Sequence, residues 1–191
     1  MSEAFVIAFT GARPSSIGSY EWNDKKNKAI RKSIKNTLMK FFENNDYDKY
    51  LFKVGMALGI DQYAMSVLIE LRAEFKDAID IKIEACVPFE LQYIKWSPEQ
   101  KNRYKDLLRQ ADIITYVDEL DEFQIDDVDI GQYHKDKLLN RNKYMVNGCN
   151  LLLAYPIEGK KTGGTIHAIN YALKHNKKVY ITELAKSKKD K

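Results

Sequence analysis

Apolar residues along the chain fall into two alternating rhythms. Short runs rich in β-branched and aromatic residues read as strands: Phe5 to Phe9, Tyr50 to Val54, Ile79 to Val87, Ile113 to Val117, Leu151 to Tyr155 and Lys178 to Thr182. Between them apolar residues recur at helical spacing. Ala29, Ile30, Ile34, Leu38, Phe41 and Phe42 predict an amphipathic helix over 24–44, and Ile60, Ala64, Val67, Leu68, Leu71 and Phe75 predict the next. Ser97-Pro98-Glu99-Gln100 has the form of a capped helix start, with Ser as cap, Pro in the first turn and Gln closing a capping box, and this helix runs to about Gln110. Further helices are expected over 136–147 and from Gly163 to near Asn176, whereas 118–134 is too polar for a core element and reads as a loop.

Strands alternating with helices imply an α/β fold. We expect a single Rossmann-like three-layer domain over residues 1–184, built on a mostly parallel sheet of about six strands, and a basic disordered tail at 185–191. In such a sheet ligands bind beyond the carboxyl ends of the strands, near the point where strand order reverses. The loops after the strands are therefore where chemistry is expected.

Composition fits this picture. The 191 residues are 45% hydrophobic and 30% charged, an ordinary globular balance. No apolar run is long enough to span a membrane, and Met1-Ser2-Glu3-Ala4-Phe5 does not resemble the start of a signal peptide, so a cytoplasmic location is expected, the host cytoplasm if the chain is phage-encoded. The net charge is +4, but the stretch 185–191 holds four Lys against one Asp and so carries three of those charges, while Asp118–Asp129 holds seven acidic residues and no basic one. A near-neutral body lacks the clustered positive surface that tracks a nucleic-acid backbone, so nucleic acid is not the expected partner. Cys86 and Cys149 form no CxxC pair and lie beside apolar runs, which marks them as small buried hydrophobes. His134, His167 and His175 show no ligand spacing, and neither a metal nor a cofactor is expected.

Lys outnumbers Arg 25 to 6, so each Arg is informative, because Arg is the residue suited to forked contacts with phosphate or carboxylate. After the first strand, Thr10-Gly11-Ala12-Arg13-Pro14 sets an Arg at the functional edge of the sheet. After the second, Gly55-Met56-Ala57-Leu58-Gly59-Ile60-Asp61 leads into a helix start, a place where free N–H groups attract anions; Asp61 serves either the helix dipole or a sugar hydroxyl. Arg141 and Met145 share a helical face. If Met145 faces the core, Arg141 is buried with it and needs an anion, either a ligand or a side chain of the acidic loop. After the fifth strand, Gly163-Gly164-Thr165 opens a helix with free N–H groups, no Cβ at two positions and a hydroxyl, which suits a phosphate.

Taken together, Thr10-Gly11-x-Arg13-Pro14, Gly55-x-Ala57-x-Gly59-x-Asp61, Arg141-Asn142-x-x-Met145 and Gly163-Gly164-Thr165 resemble the SLOG superfamily (Smf/DprA and LOG proteins), most closely its YpsA-like branch, over about residues 4–182. The resemblance implies a Rossmann-like fold that binds nucleotides or their derivatives at the strand ends. It implies ligand contacts at Thr10, Gly11, Arg13, Gly55, Ala57, Gly59, Asp61, Arg141, Asn142, Met145, Gly163, Gly164 and Thr165, and assembly as a homo-oligomer. LOG-type phosphoribohydrolases carry a catalytic Glu after the Gly-Gly-x-Gly-Thr turn; here Ile166, His167, Ala168 and Ile169 follow Thr165. The first expectation is therefore a protein that senses or sequesters a nucleotide-derived small molecule, such as a cyclic or ADP-ribose-type signal. The alternative is an N-glycosidase or phosphoribohydrolase acting on nucleoside monophosphates, with Asp61 or Glu21 as the carboxylate. Trp22, Tyr93 and Trp96 serve either an oligomer interface or internal packing.

Overall fold

Strands covered by helices on both sides are mostly apolar on both faces, and the runs Phe5 to Phe9 and Leu151 to Tyr155 follow this rule. In the computed structural model, which describes residues 3–186, six strands form one sheet in the order β4-β3-β2-β1-β5-β6. They are β1 Phe5–Gly11, β2 Lys49–Val54, β3 Asp80–Val87, β4 Ile113–Tyr116, β5 Leu151–Tyr155 and β6 Lys178–Ile181. Every pairing is parallel, so the sheet is wholly rather than mostly parallel. The tail expected at 185–191 lies, from Ser187 onward, outside the described residues. Among the described residues no helix is long and apolar enough to cross a membrane.

The helices are α1 Pro14–Ile17, α2 Lys25–Glu43, α3 Ile60–Glu74, α4 Pro98–Leu108, α5 Lys135–Asn147 and α6 Gly164–Lys174. The one-turn α1 escapes periodicity because it is too short to show any. The capping box of α4 forms as its sequence predicts: Gln100 N donates to Ser97 Oγ at 3.3 Å and Ser97 N donates to Gln100 Oε1 at 3.1 Å. Helix α2 is capped by Asp24, whose side chain accepts from Lys26 N at 2.8 Å.

Side-chain alternation divides the sheet into two different faces. One is purely apolar: Ile7, Phe9, Phe52, Val54, Ile81, Ile83 and Leu153 pack against Ile30, Ile34 and Leu38 of α2 and Ile60, Ala64, Leu68 and Leu71 of α3. The opposite face bears Ala8, Cys86 and Leu152 against Met145 and Val146 of α5 and Ala172 of α6. Both cysteines are free and buried, as expected of small core residues. Trp22, Tyr93 and Trp96 are partly buried against the core: Trp22 meets Tyr63 and lies under the guanidinium groups of Arg31 and Arg103, and Tyr93 and Trp96 both contact Tyr104.

The second face also carries charge. Lys53 and Glu84 are register partners on β2 and β3, and their buried side chains pair at 2.7 Å. Glu84 also accepts from Tyr144 Oη at 2.6 Å and Thr115 Oγ1 at 2.8 Å, and the Lys53 ammonium sits 4.1 Å from the Tyr144 ring centre. Burial pushes the Glu84 carboxyl up, but Lys53, Tyr144 and Thr115 outweigh it and hold the pKa below the ordinary carboxylate value. Burial likewise pushes Lys53 down, and Cys86, Glu84 and Tyr144 together carry it above the ordinary lysine value.

The segment expected to be a loop, 118–134, begins with two 3-10 turns, Val117–Glu119 and Asp121–Phe123, and is not wholly exposed. Asp118 and Lys137 form a buried pair at 2.9 Å; Lys137 Nζ also donates to Asp129 O at 2.6 Å, and Gly131 N donates to Asp118 Oδ2 at 2.8 Å. Pairing with Lys137 is what lets an acidic residue enter the interior.

A depressed Glu84 pKa contributes stability that is present above the unfolded-state value and is lost as pH falls through the folded-state value. Urea denaturation between about pH 6 and pH 3 is thus expected to show a steeper loss for the wild type than for Glu84→Gln, which should be less stable at neutral pH but flatter in this window. Parallel pH curves would contradict the assignment.

Candidate functional site

After β1 the chain builds outward through β2 and β3 to β4, then returns to place β5 on the other side of β1. The switch point therefore lies between β1 and β5, and there the connections leave the sheet in opposite directions and open a crevice. A cavity of about 430 Å³ lies there, of a size that holds small-molecule ligands. The loop after β1, the start of α3, the first turns of α5 and the loop from β5 into α6 all contribute to its wall.

Most of the residues singled out in the sequence converge on it. Thr10, Gly11, Arg13, Asp61, Arg141, Asn142, Gly163, Gly164 and Thr165 line the cavity. Gly55, Ala57 and Gly59 stand behind the wall and shape it. Met145 is not part of the wall; it packs in the core beneath α5, and this fixes the helical face that carries Arg141. Glu21 does not line the cavity either.

Arg141 organises this wall. It is only 4% exposed. Its Nη1 donates to Gly55 O and to Asp61 Oδ2, the latter at 3.2 Å. The counter-ion is therefore Asp61, not the acidic loop, whose buried carboxylate belongs to Lys137. Asp61 Oδ2 also accepts from Ala57 N at 3.2 Å, so one oxygen of this carboxylate is committed within the protein. The Arg141 Nε is buried without a hydrogen-bond partner, so this cation is incompletely satisfied at the cavity wall. Gly55 is required by close approach: a Cβ there would overlap the Arg141 guanidinium and lie 2.6 Å from Asp61 Oδ2.

The other arginines explain why Arg13 stands apart. Arg72 pairs with Asp112, Arg109 with Asp106, and Arg31 and Arg103 stack on Trp22. Arg13 has no ion pair among the described residues and lines the cavity with its side chain open to solvent yet hemmed in by protein. That crowding lowers its pKa, Asp61 raises it, and Arg141 lowers it again. Two guanidinium groups facing one crevice repel each other, and a bound anion would relieve that repulsion.

Opposite them, α6 begins. Gly163 has φ of 108°, a left-handed conformation that suits glycine, and leads into a first turn of α6 that has no side-chain cap and lines the cavity with Gly164, Thr165 and Ile166. Asn142 Nδ2 donates to Gly164 O at 3.3 Å, tying α5 to this turn. Five polar wall residues lie outside the predicted set: Ser16, Lys135, Asp136, Lys160 and Thr162. Lys160 donates to Ser16 Oγ at 3.3 Å and so bridges the loops after β5 and β1. A lysine three residues before Gly163-Gly164-Thr165 was the available signal for it. Asp136, in the first turn of α5, carries none, because its placement depends on how α5 meets the sheet. Its backbone N donates to His134 Nδ1 at 3.3 Å, and its carboxylate is half-exposed. Among the described residues no cluster of three His, Cys, Asp or Glu side chains could hold a metal ion. His167 is absent from the cavity wall and lies over Tyr171.

Known proteins resemble this chain in sequence. The family profile YpsA, described as "YspA SLOG family", matches residues 7–186. The SPbeta prophage-derived protein YoqJ of Bacillus subtilis (strain 168), described as uncharacterized, is 36% identical over 127 residues, which cover 66% of this chain and 71% of YoqJ. The UPF0398 protein YpsA of the same strain is 31% identical over 107 residues, 56% of each chain. A UPF0398 protein of Bacillus cereus (strain B4264) is 29% identical over 107 residues, 56% of this chain and 55% of its own. The matched part thus spans little more than half of the UPF0398 relatives.

Gly55→Ala is expected to lower the unfolding free energy by about 1–3 kcal/mol through the forced displacement of Arg141. In urea denaturation the double variant Gly55→Ala/Arg141→Ala should lose less than the sum of the two single losses, because both remove the same contact. Strict additivity would show that Gly55 and Arg141 are not coupled.

Proposed function

The chain belongs to the YpsA-type SLOG family, and from that premise we propose that it binds a nucleotide-derived small molecule through its negatively charged group, as a sensor or sequestering protein. One observation carries the reading: the switch-point cavity joins the cations Arg13, Arg141, Lys135 and Lys160 to the glycine-opened start of α6. The acidic wall residues Asp61 and Asp136 suit the hydroxyls of an attached sugar, since carboxylates accept from hydroxyl donors. Signalling species of the cyclic or ADP-ribose type present this combination of anion and hydroxyls. Sequestration suits a chain with a prophage-derived relative, because capture of a host signal needs a binding site and no effector.

Calorimetry against AMP, ADP, a cyclic dinucleotide and ADP-ribose tests the proposal. At least one should bind, and Arg13→Ala should weaken it by about tenfold or more, the scale of a lost charge-assisted contact. No binding of any of them at millimolar concentration would overturn the reading.

A second reading, hydrolysis of an N-glycosidic bond, is favoured by Asp136. Asp61 already has one oxygen tied to Arg141 and Ala57, whereas the Asp136 carboxylate is half-exposed on the cavity wall. A general base must reach the water it activates, and Asp136, 3.7 Å from His134 Nδ1, keeps about half of its side chain open to solvent. Chromatography of AMP incubated with the protein should then show free adenine and ribose 5-phosphate, with release abolished in Asp136→Asn while binding persists. Intact AMP after prolonged incubation removes this reading.

A further inference from the structure

The near-neutral sum of charges over the body conceals a separation. Helix α2 carries seven Lys or Arg residues against Glu43 alone. Lys25, Lys26, Lys28, Lys32 and Lys40 are exposed on it and have no ion pair among the described residues. The nearby acids are committed elsewhere: Asp24 caps the helix at Lys26 N, and Glu70 and Glu74 both bind Lys35. Arg31 donates to Trp22 O at 2.8 Å. Lys28 and Lys32 are i, i+4 neighbours, an arrangement of like charges that disfavours a helix unless something opposite covers it. Beside the helix a groove of about 430 Å³ is lined by Lys28, Arg31, Lys32 and Lys35 against one carboxylate, Glu70.

The complement lies elsewhere on the same chain. No Lys or Arg occurs between Val117 and His134, and Glu119, Asp121, Glu122, Asp126, Asp127 and Asp129 are exposed there without an ion pair among the described residues. This segment is nonetheless held in a fixed shape. Val117 and Phe123 are buried with Met145 and Val146 of α5, Asp118 pairs with Lys137, and Asn140 Nδ2 donates to Phe123 O at 3.1 Å. A charged surface that is ordered before contact loses little entropy on binding. The two patches cannot meet within one molecule. Helix α2 covers the sheet face of Ile7 and Phe9, whereas the acidic segment packs with α5 on the face of Ala8 and Leu152.

We propose that the basic face of α2 is a docking surface for the acidic segment 119–129 of a second copy of this chain. The contact joins two different patches, so it is heterologous; repeated, it stacks molecules head to tail or closes them into a ring. Nucleic acid is the weaker candidate for this face, because a body with almost no net charge does not draw a polyanion from a distance, while the acidic segment is present at the same concentration as α2 itself. The proposal is independent of the cavity, since none of the residues named on either patch lines it.

Sedimentation velocity of the full chain tests it. In about 50 mM salt the sedimentation coefficient should rise with protein concentration, and in about 0.5 M salt, where the screening length falls to a few Å, it should stay at the monomer value. Lys28→Glu/Lys32→Glu and Glu122→Lys/Asp126→Lys should each weaken self-association in low salt by about tenfold or more. An equimolar mixture of the two variants should restore it, because each then meets the opposite charge on the other, a recovery that misfolded protein would not give. Monomers at every concentration in low salt, association unchanged by salt or by either double reversal, or a mixture that stays monomeric would overturn the proposal. If the wild type stays monomeric and a single-stranded oligonucleotide binds it but not Lys28→Glu/Lys32→Glu, the basic face belongs to a polyanion and the proposal falls.

Discussion

A guanidinium buried at the carboxyl edge of a parallel sheet must be neutralised where it lies, and in this protein that requirement ties three elements together. Arg141 comes from α5, its carbonyl acceptor Gly55 from the end of β2, and its carboxylate Asp61 from the first turn of α3. None of the three can shift without leaving a buried charge unpaired, which is among the largest single penalties available to a fold. The glycine at 55 follows from this pair, since any Cβ would occupy the space of the guanidinium. So does the orientation of α5, which brings Asn142 against the start of α6 and aligns the two ends of the cavity.

The same side of the sheet holds further buried polar groups. Lys53 and Glu84 bridge β2 and β3 beneath α5, and Tyr144, one turn beyond Arg141, reaches Glu84 from the helix. Helix α5 is therefore held by charge and hydrogen bonds at one face, in contrast to α2 and α3, which rest on an apolar layer. Directional contacts allow few alternative rotations of a helix, whereas apolar packing tolerates small slides. The helix that delivers Arg141 and lines the cavity from Lys135 to Asn142 is the one fixed by directional contacts.

Much of this was legible in the sequence because periodicity reports burial directly. The alternation along Ile79 to Val87 marks β3, the spacing of Ile30, Ile34 and Leu38 marks α2, and Ser97-Pro98-Glu99-Gln100 marks the start of α4. The cavity residues on strand ends were legible for a related reason: glycines and an arginine stand out where β-branched runs stop. What escaped depends on contacts distant in sequence. The partner of Arg141 is 80 residues away, and its choice of Asp61 over an acidic loop follows from packing geometry that no local pattern encodes. The burial of Asp118 was hidden for the same reason, since Lys137 neutralises it from another element. Asp136 reaches the cavity through the placement of α5, and not through any feature of its immediate neighbours.

Charge distribution decides what kind of anion such a cavity can select. The net charge of +4 spread over a surface would attract any polyanion, with an affinity that falls steeply as salt rises. Instead three of those charges belong to the last seven residues, and the recess sets four cations, Arg13, Lys135, Arg141 and Lys160, against two carboxylates. Within that recess the acidic side chains Asp61 and Asp136 set a limit on how much negative charge can be accommodated, because each repels a neighbouring phosphate. The proposed preference for a small ligand thus rests on the placement of a few paired and unpaired charges in one cavity, not on the overall charge of the chain.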